Sequence, residues 1–337
     1  MLSKIQVSPA PHISGKLTTQ RVMLDVIIGL LPAMIAAGIF FRLRAIIIIA
    51  VCVAACMASE WICNRIRGKR STLGDLSAVV TGIILALSLP VAVPVSVAVL
   101  GSVFAIIITK MLFGGLGCNV FNPAMAARAF LAVSFGTAMT TWTVPATVDE
   151  AMGKIEATNT AAVTQATPLA WIKMAVKKTA APETGNSLID EAFTGSVGGC
   201  LGETSALALI LGGAYLLWRK IITWHIPAAV LLSAVVFAGI VRLIDPGSTV
   251  SPLLHLFSGG LLICAFFIAT DPVTAPLSVK GMWIFGIGVG LLIMLIRVVG
   301  EYPEGVMYAV LIMNAFTPLI DRFCKRVPLG GDPNAKS

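Results

Sequence analysis

Pro90-Val91-Ala92-Val93-Pro94 interrupts an otherwise continuous apolar stretch, and Pro272-Val273-Thr274-Ala275-Pro276 resembles it 182 residues later. Proline lacks an N–H and breaks helix hydrogen bonding, so both stretches mark short or broken helices lining a protein interior. Downstream, Arg128-Ala129-Phe130 aligns with Asn314-Ala315-Phe316 at an offset of 186 residues, which implies a four-residue insertion between the copies. The chain reads as two related halves.

Apolar runs surround these markers at roughly 22–41, 45–63, 77–93, 95–113, 121–137, 203–218, 221–243, 253–270, 282–299 and 305–321. Hydrophobic residues make up 57% of the chain, charged residues 12%, and the mean hydropathy is +0.94. Soluble domains carry about 25% charged residues, so the solvent here is lipid. Apolar runs of about 20 residues cross it as helices, because a helix satisfies its own backbone polar groups. Five runs per half start the second half from the opposite side. The expected fold is an all-α polytopic membrane protein of about ten transmembrane helices in two inverted five-helix repeats, with functional sites near the midplane where the repeats meet. The expected segments are 1–20, the first repeat 21–137, a polar loop 138–202, the second repeat 203–321 and a tail 322–337.

The net charge of +8 does not indicate nucleic acid. The basic residues sit at the ends of apolar runs, where they set topology and meet anionic headgroups. Short segments on the terminal side hold fifteen of them, Lys110 included; the opposite short segments hold four, namely Arg42, Arg44, Arg242 and Arg297. This bias predicts cytoplasmic termini and an outward-facing 138–202 segment. No cleavable signal peptide is evident, since Met1–Lys16 is polar and the first apolar run is long enough to span. Within the loop, Pro168–Lys178 has apolar residues at helical spacing and predicts an amphipathic interfacial helix. The seven cysteines form no CxxC pair and no zinc or iron–sulfur spacing, so no metal site is expected. Cys52 and Cys56 read as helix packing.

Three constellations carry chemistry. Thr164-Gln165-Ala166-Thr167 on the loop resembles the Ser/Thr-x-Ala-Thr site at which flavin transferases esterify the last threonine with FMN. Read without that resemblance, it is a Thr/Ala-rich loop. Gly114-Gly115-Leu116-Gly117-Cys118-Asn119-Val120-Phe121-Asn122-Pro123 is a glycine-rich turn running into a helix start, with proline in the first turn. Asn119 and Asn122 are placed to bond the ring edge of a flavin or quinone, or else to cap a tight turn. The pattern is neither a P-loop nor a Rossmann fingerprint. The ionisable residues in or beside apolar runs are Asp25, Glu60, Arg128, Glu203, Asp271, Arg297 and Asp321. Asp271, at the break in the second half, is the preferred candidate for an ion or proton role. Asp25 lies one turn after Arg21 and suits an interfacial ion pair, while Asp321 suits simple solvation. His225 and His255 read as packed residues.

Together, Ser8–Ile13, Gly114–Phe130, Thr164–Leu169 and Phe267–Pro276 make the chain resemble the D component of the Rnf (Rsx) electron-transport complex. It is similar, more distantly, to the B component of the sodium-translocating NADH:quinone reductase. The resemblance implies covalent FMN on Thr167 facing the periplasm, a non-covalent riboflavin within the membrane part with Asn119 and Asn122 as candidate contacts, and a urea-transporter-like fold. It implies one electron-carrying part of a complex in the bacterial inner membrane that couples electron transfer between ferredoxin and NAD to Na⁺ or H⁺ movement. Expected partners are the other membrane and peripheral Rnf subunits, among them a second flavin-bearing subunit and iron–sulfur subunits, together with a flavin transferase and membrane lipid. The competing readings are a channel or secondary transporter without redox chemistry, and a membrane scaffold; fold alone does not separate them.

Overall fold

The computed structural model describes residues 18–142, 169, 186–195, 198–203, 205–244, 251–300 and 304–325. The elements in chain order are α1 (Thr19–Ile66), α2 (Ser77–Leu87), α3 (Val95–Phe104, continuing as a π-helical segment Ala105–Met111), α4 (Pro123–Ser134), α5 (Gly136–Met139), α6 (Asn186–Thr194), α7 (Ala206–Trp218), α8 (His225–Ile244), α9 (Pro252–Phe257), α10 (Leu261–Ile263, with a π-helical continuation Cys264–Ile268), α11 (Val279–Val298) and α12 (Val306–Phe323). Four of them, α1, α8, α11 and α12, are long and apolar enough to cross a membrane, and α2, α3, α4 and α7 are shorter apolar helices. The outward faces carry exposed Ile35, Ile46, Leu211, Leu232 and Ile284, a surface suited to lipid rather than water. The chain is a multi-pass membrane protein.

Local sequence explains most boundaries. Thr18, Ser205, Ser251 and Ser278 accept backbone N–H groups at the starts of α1, α7, α9 and α11. α1 joins the first two apolar runs through one non-helical residue, Arg42, at φ 53° and ψ −143°. Two runs depart from the continuous helices that the periodicity predicts. The third stops at Leu87, and the eighth is interrupted between Phe257 and Leu261, where Gly259 takes φ +68°. The 168–178 helix and the Thr164–Thr167 motif lie outside the described residues, except for Leu169, which is buried.

The break after α2 leaves carbonyls without helical donors in a region where water is scarce. Each of five is met by a specific group. Leu201 N–H donates to Leu89 O at 3.1 Å and Gly202 N–H to Leu87 O at 2.7 Å. Arg44 donates from Nε to Val91 O at 3.4 Å and from Nη2 to Val93 O at 3.2 Å, and Arg128 Nη1 donates to Ser88 O. In the second half, Thr317 Oγ1 on α12 donates to Thr274 O at 3.0 Å.

Helices close on one another through small residues, the expected device where lipid removes the hydrophobic drive between helices. A Cβ at Gly212 on α7 would run into Gly29 O on α1, and one at Gly290 on α11 would stand 2.6 Å from Val230 O on α8. Gly38 faces open space. Gly212→Leu is therefore expected to lower stability by about 3 kcal/mol or more through overpacking, and Gly38→Ala to leave it within about 0.5 kcal/mol. Unfolding of the two variants in detergent checks this; equal stabilities would contradict the α1–α7 contact.

Candidate functional site

A cavity of about 610 Å³ lies between the start of α1, α2, the turn before α4, and the Cys264–Ile268 segment with the break after it. Its wall contains Asn119 and Asn122, which sequence reasoning singled out as a pair, together with Asp271, which it singled out separately. Val80, Ile84, Leu216, Phe266 and Phe267 supply apolar wall, and Ser77, Thr81, Lys110 and Thr270 supply polar groups. This is the usual composition of a small-molecule site: mostly apolar, with a few placed polar atoms.

The glycine-rich turn has its shape because Gly114, Gly115 and Gly117 take φ of +130°, +111° and +89°, values that strain any residue with a Cβ. The turn delivers Asn119 to the wall. Its Nδ2 donates to Phe121 O at 3.1 Å, while its Oδ1 is buried with no hydrogen-bond partner. A buried acceptor without a donor is unfavourable by about 1–3 kcal/mol, so the position favours a ligand that supplies one. Asn122 is employed differently. It caps α4, its Oδ1 accepting from Ala124 N–H at 3.1 Å and Met125 N–H at 3.3 Å. With the Asn314 amide oriented oxygen-first toward α4, that oxygen accepts from Asn122 N–H at 3.0 Å. The Asn122 side chain thus keeps only its amide NH₂ for a ligand.

Asp271 is half-buried and locally bonded, Oδ1 accepting from Val273 N–H at 3.3 Å and Oδ2 from the Thr274 hydroxyl at 3.1 Å. It closes the turn after the π-helical segment and presents a carboxylate to the cavity wall.

Several charges fall where the sequence does not show them. Lys110, counted among the surface topology residues, is buried against Glu60 at 2.8 Å and donates to the Ser77 hydroxyl at 2.6 Å. Thr72 donates to the other Glu60 oxygen at 2.5 Å. Glu60 is thereby a fully paired buried carboxylate. Asp25 pairs with Arg219 at 3.3 Å and accepts from the Tyr215 hydroxyl at 2.9 Å, not with Arg21, because helix packing turns it toward α7. Asp321 is not merely solvated: it accepts Leu277 N–H at 3.1 Å and ties α12 to the turn after Asp271. Arg297, counted as an exposed end residue, is buried and donates to His255 O at 2.7 Å and Ser258 O at 2.9 Å. His225 stacks on Trp224 and His255 is buried, both packed as expected. Sequence reasoning missed Glu304, Cys200 and the role of Lys110. Pairing across 50 residues or more leaves no local pattern to find.

Residues 6–330 match the NQR2, RnfD, RnfE family. The chain belongs to this family. It is 46% identical over 325 residues to the D component of the Na(+)-translocating ferredoxin:NAD(+) oxidoreductase complex of Acetobacterium woodii, covering 95% of this chain and 94% of that protein. It is 39% identical over 330 residues to the D component of the proton-translocating ferredoxin:NAD(+) oxidoreductase complex of Clostridium ljungdahlii, covering 96% of each. The D component of the ion-translocating oxidoreductase complex of Shewanella frigidimarina is 38% identical over 340 residues, covering 95% of this chain and 96% of that protein. The glycine-rich turn and the Asp271 break, which carry much of the resemblance to the Rnf D component, both contribute to the wall of the cavity in this NQR2/RnfD/RnfE member.

Removing one partner of the buried Lys110–Glu60 pair strands a charge. Lys110→Met is expected to destabilise by about 3–5 kcal/mol, and the Glu60→Leu/Lys110→Met double variant to recover most of that. A double-mutant cycle on unfolding free energies reads it; additive losses would mean that the pair is not coupled. Asn122→Ala, which removes a helix cap, is expected to cost about 1 kcal/mol.

Proposed function

We propose that this chain is the flavin-carrying membrane subunit of an Rnf complex, which couples electron transfer between ferredoxin and NAD to Na⁺ or H⁺ translocation across the bacterial cytoplasmic membrane. The near-full-length similarity to the D components of such complexes supports the assembly. The observation that carries the cofactor reading is the orphaned Asn119 Oδ1 on the wall of a cavity large enough for a tricyclic ring.

The residues present fit a non-covalent flavin such as riboflavin. Asn119 Oδ1 offers an acceptor to a ring N–H or a ribityl hydroxyl, and Asn122 offers an amide donor. Phe266, Phe267 and Ile84 offer apolar surface to the ring. Lys110, already bonded to Glu60 and Ser77, brings positive charge to the wall. A bound flavin supplies electron transfer in single or paired steps; the chain positions it, excludes water and sets the surrounding charge. Thr167 is the proposed attachment point for covalent FMN through a phosphoester. Leu169, two residues on, packs over Gly259, which supports a loop anchored to the protein at that point.

The proposed architecture is ten transmembrane helices in two inverted, urea-transporter-like repeats. Helix breaks at both Pro-x-x-x-Pro stretches support it, as do Arg128 of α4 and Thr317 of α12, each of which donates into the break of its own half. Lys110 and Arg297 drop out of the surface count, one from each side, and the basic bias still favours cytoplasmic termini and a periplasmic loop at 138–202. A reporter after Ser337 should behave as cytoplasmic. Partners under this reading are the remaining Rnf subunits, including the second flavin-bearing and iron–sulfur subunits, and a flavin transferase.

Three variants separate the roles in a strain with an active flavin transferase. Thr167→Ala should remove the mass of FMN minus water from the intact chain, and Thr164→Ala should only reduce the modified fraction. Asn119→Leu should keep covalent FMN while lowering the extractable flavin of the purified complex. Asp271→Asn should keep both flavins and lower the ions moved per electron in vesicles. An unmodified Thr167 in the wild type would sink the covalent-flavin reading and favour a channel or scaffold role.

A further inference from the structure

Three of the chain's six tryptophans, Trp218, Trp224 and Trp283, lie at one end of the second half. Helix direction is the cause. A Cβ at Gly286 of α11 would stand 3.0 Å from Ile226 O of α8, and one at Gly290 would stand 2.6 Å from Val230 O. One turn along α11 is one turn along α8, so the two helices run parallel and their starts meet. There Trp224 stacks on His225 with ring centroids 4.5 Å apart and meets Trp283 edge-on at 5.9 Å. The Thr223 hydroxyl donates to Met282 Sδ at 3.4 Å and ties the turn before α8 to the first turn of α11. Trp218 and Trp224 are nonetheless exposed.

Lys220, in the turn, and Lys280, three residues before Trp283, are exposed. The acids at this end have other partners. Asp25 pairs with Arg219, Asp321 accepts Leu277 N–H, and Asp271 closes its own turn. The basic residues Arg21, Arg219, Lys220, Lys280 and Arg322 outnumber those three acids. Among the described residues no carboxylate lies at ion-pair distance from Lys220 or Lys280. Below this polar end each helix carries an exposed apolar stripe. On α8 it runs from Trp224 through Leu232, Val236 and Ile240 in steps of four, and on α11 from Lys280 through Ile284, Ile287 and Leu291 in steps of three and four. Such steps keep side chains on one helix face.

We propose that Trp224, Trp283, Lys220 and Lys280 form a binding site for one anionic phospholipid, with its phosphate at the ring cluster and its acyl chains along α8 and α11. The surface has the two parts that such a lipid has, a cationic head region and an apolar run leading from it. Tryptophan joins an apolar body to one N–H donor, which suits the level where headgroup meets acyl chain. An ammonium near an anionic membrane surface strengthens binding about fivefold. A soluble acidic protein would meet the lysines but not the stripes, which lie at hydrocarbon depth. The proposal uses only the multi-pass membrane character of the chain, so its failure leaves the flavin and Rnf readings standing.

The experiment uses the purified complex in nanodiscs of phosphatidylcholine. A minor fraction of the lipid carries a photoactivatable acyl chain, on phosphatidylglycerol in one sample and on phosphatidylcholine in the other. After illumination, peptide spectrometry measures adducts on residues 232–240 and 284–291. In the wild type, phosphatidylglycerol should label these residues about tenfold or more over phosphatidylcholine at equal content. Lys220→Gln/Lys280→Gln should bring that ratio close to one and leave labelling by phosphatidylcholine unchanged. Both lysines are exposed, so the double variant keeps its fold. Trp224→Leu should lower the ratio by a smaller factor. A ratio near one in the wild type, or an unchanged ratio in either variant, overturns the proposal. So does the absence of adducts from both lipids, which would mean that another subunit covers the two helices.

Discussion

Everything near the centre of this fold depends on how the break after α2 is satisfied. A helix that stops inside a low-dielectric region exposes carbonyls, and each unmet group there costs several kcal/mol. The chain meets them with Arg44, Arg128 and the Leu201–Gly202 backbone. This commits residues from α1, α4 and the segment before α7 to one locus. Arg128 then cannot be buried alone, and it draws in Glu304, Cys200 and Glu203. The charged cluster is thus a consequence of the proline stretch at Pro90 to Pro94.

The second break works in the opposite sense. At Asp271 the turn is closed by the residue's own carboxylate, with the Val273 N–H and the Thr274 hydroxyl as donors. No guanidinium is drawn in among the described residues, and the space beside the break stays open as part of the cavity. One break became a sealed ionic cluster and the other a ligand-sized pocket.

The proline stretches and the apolar runs made the membrane class and most helix positions legible, because periodicity and breakers are local signals. Asn119, Asn122 and Asp271 were legible as candidates for the same reason: a glycine turn, a cap and an intramembrane acid are short patterns. What escaped was partnership. Nothing around Lys110 announces Glu60, and a lysine at the end of an apolar run looks the same whether it faces headgroups or a carboxylate. Glu304, in a short polar segment between runs, reads as solvent-exposed until α4 brings Arg128 beside it. Asn122 was legible as a polar residue near a helix start, but the pattern does not show that its oxygen is spent on the cap and that only its amide NH₂ stays free.

Proteins named for sodium and for proton translocation align with this chain over 95% and 96% of its length, so one scaffold is common to proteins named for either ion. The cluster beside the first break holds its own charges: Glu203 and Glu304 face Arg128, and Arg297, held by the His255 and Ser258 carbonyls, brings a second buried guanidinium to them. The guanidinium drawn in by the broken helix therefore has its charge met within the protein, and this links the cluster to the backbone constraint with which the fold begins.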